Sequence, residues 1–158
     1  MRCAFVLLLT ACVSTAPPPP VDALASIHHV IDDWHHAASI ADENAYFGYA
    51  APEFVFLGTD ATERWDLASF RTFAHPYFAK GKAWTFVPRN RHVTIAGDGN
   101  TAWFDELLDS ASYGECRGSG VLRLIGGEWK IAQYNLSIPI PNALAKKFVE
   151  EIRAASPR

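Results

Sequence analysis

The hydrophobic pattern of this chain changes from helical spacing in its first half to alternation in its second half. Apolar residues three and four positions apart predict a helix that begins near Asp22. These residues are Leu24, Ile27, Ile31, Trp34 and Ala38. A short second helix is predicted after Asp42 and a third from Asp66 to Gly81, with both aspartates placed as N-caps. A short strand over 53–57 separates these two helices.

Alternation of apolar and polar residues dominates from residue 84 onward and predicts a series of strands. The predicted strands cover 84–88, 92–96, 101–109, 113–125 and 128–140. Glycine-rich turns between them are hairpin signals, so the sheet should be mostly antiparallel. A last amphipathic helix is predicted from Asn142. This order indicates an α+β fold, in which N-terminal helices cover one face of a curved antiparallel sheet and leave a cone-shaped space suited to a ligand.

The N-terminal residues have the pattern of an export signal. Arg2 precedes an apolar run from Ala4 to Leu9, which is too short to span a bilayer. The sequence Leu9-Thr10-Ala11-Cys12 resembles the lipobox of bacterial lipoproteins, in which the cysteine is acylated and everything before it is removed. The resemblance implies a signal peptide over 1–11, a lipidated Cys12 and a proline-rich tether over 12–21. It also implies a lipid-anchored location in the cell envelope, on the periplasmic side of a bacterial membrane.

Composition narrows the possible partners. The 158 residues carry a net charge of −3 and are 49% hydrophobic, which suits one domain with a single core and offers no broad attraction to nucleic acid. With Cys3 removed and Cys12 lipidated, Cys116 is expected to be the only free thiol, and no intramolecular disulfide is predicted. The sequence also lacks a C-x-x-C or Cys/His zinc pattern.

The order of the predicted elements and three sequence blocks, at 56–65, 101–106 and 129–139, carry a family resemblance. They resemble the nuclear transport factor 2-like superfamily, and within it the SnoaL-like branch. The resemblance implies a SnoaL-like domain over 22–141, followed by a C-terminal helix and tail over 142–158. Because this fold serves enzymes and non-catalytic proteins alike, the resemblance fixes no chemistry.

One chemistry of the superfamily can be checked by position. Ketosteroid isomerase uses an aspartate base, with a tyrosine and a protonated aspartate as donors to the oxyanion. The resemblance places these roles near Leu57, Trp34 and Gly120, and none of the three residue types is kept. Steroid isomerase chemistry by that route is therefore not expected.

Asp105 and Glu106 are adjacent in a predicted strand, so their side chains must point to opposite faces of the sheet. Similarity to the kinase association domain of the superfamily, whose pocket has an arginine near this position, implies that Asp105 is the inward residue. A partly desolvated carboxylate suits general acid–base catalysis. The alternative is that Asp105 only forms an ion pair with Arg117 inside the sheet.

Other candidate pocket residues are basic or aromatic. Arg64 beside Trp65 suits an anionic or planar ligand, although a turn with a surface ion pair is the favoured interpretation. His75, near the end of the third helix, is placed to line the pocket. Arg117 would position a substrate together with Tyr46. The aromatic candidates, which otherwise belong simply to the core, are Tyr46, Trp84, Trp103 and Tyr134.

A run of histidines in the first helix raises the question of a metal site. His28, Asp32 and His35 lie on neighbouring turns of one helix flank. His29 and His36 lie almost opposite the apolar stripe. Because no H-E-x-x-H pattern accompanies them, a solvated face is the favoured interpretation, and neither a metal nor a cofactor is predicted.

Three functional hypotheses follow. The leading one is an exported SnoaL-like lipoprotein that binds a small, partly apolar molecule in its cone. The second is a cofactor-free isomerase, dehydratase or cyclase that uses Asp105 as general acid or base. The third is a protein-interaction domain. A homodimer through the sheet face is expected if the polar residues Gln133, Asn135 and Ser137 of the last strand face outward.

Overall fold

The computed structural model describes residues 22–155. The predicted signal peptide (1–11), the lipidation site at Cys12 and the tether (12–21) lie outside the described residues, as do the last three residues of the predicted tail. Within the described part of the chain, no helix has the length and the apolar character needed to cross a membrane.

Three helices precede most of the sheet: α1 (Ala23–Ser39), α2 (Glu43–Gly48) and α3 (Leu67–Ala79). The predicted apolar stripe of α1 is buried at four of its five positions, whereas Leu24, in the first turn, is 49% exposed. The carboxylates of Asp42 and Asp66 accept hydrogen bonds from backbone N–H groups in the first turns of α2 and α3. Both predicted N-caps are therefore confirmed.

Six strands form one sheet: β1 (Ala50–Leu57), β2 (Arg64–Asp66), β3 (Val87–Ile95), β4 (Thr101–Ser110), β5 (Gly114–Ile125) and β6 (Glu128–Ser137). Their order across the sheet is β2-β1-β6-β5-β4-β3. Neighbours are antiparallel except for the parallel pair of β1 and β6. The predicted α+β fold, with helices on one face of a curved antiparallel sheet, is confirmed. Strand β2 was not predicted, because three residues are too few to show alternation.

Strand β3 covers most of the two strands predicted over 84–88 and 92–96, and a β-bulge lies in its middle. The register against β4 shifts between Arg89 and His92, and Asn90 has a φ of 51°. Asparagine tolerates this left-handed conformation better than most residues. The extra residue moves the alternation by one position, so that Arg91 points inward and His92 outward. Trp84 precedes the strand and lies in a segment, 82–86, without regular secondary structure.

Two glycines on the inner face of β5 make room for aromatic rings. A Cβ atom on Gly118 would lie 2.4 Å from the hydroxyl of Tyr134, and one on Gly120 would lie 2.8 Å from the ring of Phe104. Both rings therefore approach the β5 backbone more closely than any larger residue would allow. Cys116, on the same face, is a buried free cysteine, and burial raises the pKa of its thiol.

The C-terminal helix α4 (Asn142–Ala155) follows β6 as predicted but has no buried residue. Its apolar side chains Leu144, Phe148 and Ile152 are exposed. Because nothing in the described chain covers them, α4 contributes nothing to the core that surrounds the cone.

Candidate functional site

Glu106 lies at the centre of a buried polar network in the cone between the helices and the inner face of the sheet. Its side chain is 0% exposed. One carboxylate oxygen, Oε1, lies 2.7 Å from Nε2 of His35 on α1. The other, Oε2, accepts a 2.7 Å hydrogen bond from Nε of Arg91 on β3. Both oxygens are therefore engaged, as a buried carboxylate requires.

Arg91 continues the network toward the surface. Its side chain is 7% exposed, and its Nη1 donates a 3.2 Å hydrogen bond to the backbone oxygen of His28. Its Nη2 lies 2.8 Å from Oδ1 of Asp32, an ion pair whose angle falls short of a hydrogen bond. The negative and positive groups thus alternate along the network, from Asp32 through Arg91 to Glu106, and compensate one another.

The orientation predicted for Asp105 is wrong. Asp105 is exposed on the outer face of β4, opposite His92 on one side and Ser119 on the other. The apolar residues Ala102, Phe104 and Leu108 fix the inward positions of β4, and Glu106 shares their parity. Arg117 is likewise exposed, on the outer face of β5. Among the described ion pairs none joins Asp105 to Arg117, so neither side chain belongs to the cone.

Three buried hydrogen-bond donors lie in one aromatic cluster beside this network. The ring of Trp34 stacks on that of Tyr46 at 4.8 Å and meets that of Tyr134 edge-on at 4.6 Å. The indole nitrogen of Trp34 and the two phenol oxygens have no hydrogen-bond partner among the described residues. Buried polar groups are rarely left in this state, so the cluster is the most unusual feature of the cone.

Burial raises the pKa of both phenols well above the ordinary value of 10. Tyr134 adds to this shift at Tyr46, and the Glu106 carboxylate adds to it at Tyr134. The Trp84 side chain, which approaches the Tyr46 hydroxyl as a donor without reaching the geometry of a hydrogen bond, opposes the shift at Tyr46. Both phenols therefore stay protonated at neutral pH and remain donors.

The remaining predicted site residues lie in three different places. Trp84 is half-buried and packs edge-on against Tyr46 at 5.6 Å, so it belongs to the cluster. Trp65 is half-buried against Phe56 at 6.1 Å, at the margin of the core. Three other predicted pocket residues do not reach the cone: Arg64 is exposed, His75 is exposed and lies 2.8 Å from Glu43, and Trp103 is 49% exposed on the outer sheet face.

The histidines of α1 do not converge on a metal site. No group of three His, Cys, Asp or Glu residues suited to a metal ion occurs in the part of the chain that the structure describes. Asp32 pairs with Arg91, His35 with Glu106, and His29 lies 3.2 Å from Asp33.

Glu106 and Arg91 were not predicted as inward residues, and His35 was predicted only as a candidate metal ligand. A usable signal existed for Glu106, since it alternates in phase with three apolar residues of its strand. Arg91 carries a similar signal, since it alternates in phase with Val93 and Ile95, which pack on the core, but it lies one residue before the predicted strand over 92–96.

The chain matches one family in sequence and several solved structures in fold. The sequence profile of the SnoaL-like domain matches residues 27–141. No curated protein matches the chain significantly in sequence. A nuclear transport factor 2-like protein of unknown function from Pseudomonas putida is 17% identical, with a TM-score of 0.66 over 78% of this chain and 92% of that chain.

Two further solved structures carry functional descriptions. A proposed dehydratase of the same superfamily from Streptomyces avermitilis is 12% identical, with a TM-score of 0.64 over 75% of this chain and 97% of that chain. A proposed aromatic ring hydroxylase from Novosphingobium aromaticivorans is 20% identical, with a TM-score of 0.61 over 77% of this chain and 92% of that chain. At these identities the similarity shows the fold alone.

Proposed function

The chain belongs to the SnoaL-like domain family, and on that premise we propose that its cone binds a small, partly apolar molecule that carries an oxygen acceptor. The observation that supports this function is the set of three unpartnered buried donors on Trp34, Tyr46 and Tyr134. A buried donor without an acceptor costs the folded protein about 1–3 kcal/mol. A ligand that offers an acceptor to this cluster recovers part of that cost on binding.

The charges around the cone favour a neutral ligand. Glu106 is already paired with Arg91 and His35, and Arg91 with Asp32, so among the described residues no unpaired buried charge is left to attract an ion. The walls near the donors are aromatic. The ligand class is therefore a ring-sized neutral molecule with a carbonyl group.

Trp84 is the proposed gate of the cone. Its ring contacts Tyr46 and Phe78, and it lies in the irregular segment 82–86 rather than in a helix or strand. Such a segment moves at lower cost than the helices and strands that hold Trp34 and Tyr134. Because Trp34, Tyr46 and Tyr134 are almost fully buried among packed side chains, ligand entry then requires displacement of Trp84 and a rearrangement of the cluster behind it.

A matched pair of probes tests the proposed binding. 1-Tetralone and tetralin share one carbon skeleton, and only the ketone offers an acceptor. We expect 1-tetralone to quench or shift tryptophan fluorescence at a concentration at least about tenfold lower than tetralin, as one or two new hydrogen bonds to buried donors predict. Equal affinities for the two probes would contradict a role for the donors, and no binding of either would contradict the pocket.

Tyrosine-to-phenylalanine variants separate binding from folding. Because the phenols lack partners in the described structure, Tyr46→Phe and Tyr134→Phe should leave the free protein as stable as wild type or more stable, by up to about 1 kcal/mol. Each should weaken 1-tetralone binding about fivefold and leave tetralin binding unchanged. Loss of stability in both variants would show that the phenols have partners within the protein.

A second candidate function is acid–base catalysis in the same cone, with His35 and Glu106 in place of Asp105. The 2.7 Å contact between His35 and the buried Glu106 favours it. When Nε2–H is donated to the carboxylate, the lone pair on Nδ1 is free to accept a proton. The phenols of Tyr46 and Tyr134 would stabilise the enolate oxygen that forms as a carbon-bound proton leaves.

Proton exchange at carbon distinguishes catalysis from binding. In D₂O a catalytic His35 would accelerate exchange of the α-protons of 1-tetralone, which NMR follows directly. His35→Gln should abolish the acceleration, while Asp105→Asn on the outer face should preserve it. Exchange at the buffer rate in the wild-type protein would leave binding as the function of the cone.

We also propose that the outer sheet face forms a homodimer. Trp103, in the middle of β4, is 49% exposed there, and Gln133 of β6 is exposed on the same face. An exposed tryptophan among polar neighbours is typical of an interface. Light scattering should give twice the monomer mass for wild type and the monomer mass for Trp103→Ser, and a wild-type monomer at about 100 μM would contradict the dimer.

Export and lipidation at Cys12 remain predictions.

A further inference from the structure

A continuous row of aromatic side chains runs along the outside of α3. The ring of Trp65 stacks on that of Phe73 at 4.7 Å, and Phe73 lies 5.7 Å from Tyr77. Tyr77 in turn lies 6.4 Å from Trp84. Phe73 and Tyr77 are 41% and 46% exposed, although α3 already fills the core with Phe70, Ala74 and Phe78. The row is therefore surplus to the packing of the helix.

Positive charge surrounds this row. Residues 64–86 contain four basic residues and one acidic residue, although the whole chain carries a net charge of −3. One of the four, Arg71, pairs with Glu43 of α2. Arg64, Lys80 and Lys82 are exposed, and none of them takes part in an ion pair within the described residues. The acidic residue, Asp66, is occupied as the N-cap of α3. Exposed aromatic groups and free cations thus share one surface of an otherwise acidic protein.

We propose that this aromatic–basic surface, formed by Arg64, Trp65, Phe73, Tyr77, Lys80 and Lys82, lies against an anionic lipid bilayer. Tryptophan and tyrosine favour the membrane–water interface, and lysine and arginine are attracted to anionic headgroups. The sequence predicts membrane contact only through lipid on Cys12. The aromatic–basic surface supplies a second contact, which does not depend on that lipid and which fixes the orientation of the domain.

The proposed gate, Trp84, lies at the edge of the aromatic–basic surface. Trp84 ends the aromatic row on one side and contacts Tyr46 on the other. If the cone binds the apolar ligand proposed above, its entrance then faces the bilayer in which such a ligand dissolves. The membrane contact itself rests only on the surface residues and stands without the ligand.

Vesicle sedimentation tests the contact. The predicted mature chain from residue 12, carrying Cys12→Ser and therefore without both the apolar signal segment and the acylation site, is mixed with vesicles of phosphatidylethanolamine and phosphatidylglycerol or of phosphatidylcholine alone. We expect binding to the anionic vesicles, at least about tenfold weaker binding for Lys80→Glu with Lys82→Glu, and a similar loss for Phe73→Ser with Tyr77→Ser. Matched changes on α4, Lys146→Glu with Lys147→Glu, should alter binding less than about twofold.

Hydrogen exchange locates the contact on the same sample. Anionic vesicles should slow exchange in α3 and in 82–86 and leave α4 unchanged. Equal binding to anionic and neutral vesicles would overturn the proposal. Binding that is unchanged by the α3 substitutions but weakened by those on α4 would also overturn it. The side chains substituted on α3, at 80 and 82 and on α4 are all exposed, and unchanged thermal unfolding of each variant confirms that it is folded.

Discussion

Replacing Glu106 by glutamine removes the charge that holds the buried network together while keeping the volume of the side chain. In the native protein its two oxygens contact His35 and Arg91, each at 2.7 Å. A glutamine has one acceptor oxygen, so it keeps both contacts only if His35 carries its proton on Nδ1 and accepts from the glutamine amide through Nε2. In either case the carboxylate charge is lost, and Arg91 keeps only the largely exposed Asp32 as a counter-ion.

The expected cost follows from the burial of the pair. Breaking a buried ion pair by removing one partner typically costs about 3–5 kcal/mol, because the remaining charge stays buried without compensation. Domains of this size have a total stability of about 5–15 kcal/mol, so Glu106→Gln should remain folded but lower the unfolding midpoint by roughly 10 °C or more. Glu106→Leu combined with Arg91→Met should recover most of the loss, since no unpaired charge remains.

Urea unfolding followed by circular dichroism measures these differences. The matched control is Asp105→Asn, one residue away on the outer face of the same strand, for which we expect a change within about 0.5 kcal/mol. If Asp105→Asn destabilised the protein as much as Glu106→Gln, the orientation of β4 described above would be refuted. A change below about 1 kcal/mol for Glu106→Gln would refute the network as a buried, paired structure.

Two further predictions concern the aromatic lining of the cone. The pKa values of Tyr46 and Tyr134 are raised in the folded state, so the unfolded chain releases these protons first. The contribution of the two phenols to stability should therefore be fully present below about pH 10 and decline as the pH rises toward their pKa values in the folded protein. The decline should be shallower in the double variant Tyr46→Phe with Tyr134→Phe. Urea unfolding midpoints measured against pH test both expectations. Gly120→Ala should cost about 1–3 kcal/mol, because the new methyl group would lie 2.4 Å from a backbone oxygen of β6 and 2.8 Å from the Phe104 ring. Gly97→Ala, which meets no atom within 4 Å, is the control and should be close to neutral in the same thermal unfolding assay.

Most of the fold was predictable because its signals are local. The spacing of Ile27, Ile31 and Trp34 predicts α1, and Asp42 and Asp66 mark the starts of the next two helices. The bulge in β3 was not predictable, because the conformation of Asn90 depends on pairing with β4 and not on its neighbours in sequence. Helices and strands that depend on local hydrophobic periodicity were therefore predictable, whereas the bulge, which depends on strand pairing, was not.

The site was less predictable, because it is assembled from distant residues. His35 and Glu106 are separated by 71 positions, and no short pattern links them. The choice of Asp105 over Glu106 followed a family resemblance, although the parity of Phe104 and Leu108 points to Glu106. Arg91 shares the parity of Val93 and Ile95 but lies just outside the predicted strand over 92–96. Of the predicted lining, Tyr46, Trp84 and Tyr134 come together, since large aromatic residues have few places other than the core.

If the buried donors in the cone hold the oxygen of a ligand, as we propose, the indole N–H of Trp34 reports on that contact most directly. Selective ¹⁵N labelling of tryptophan gives one indole signal for each of five residues, and Trp34→Phe identifies the relevant one. Addition of 1-tetralone should move the Trp34 indole proton downfield, as a new hydrogen bond requires, and tetralin should leave it in place. Binding of 1-tetralone without a shift at Trp34, or with a shift only at the exposed Trp103, would contradict the claim.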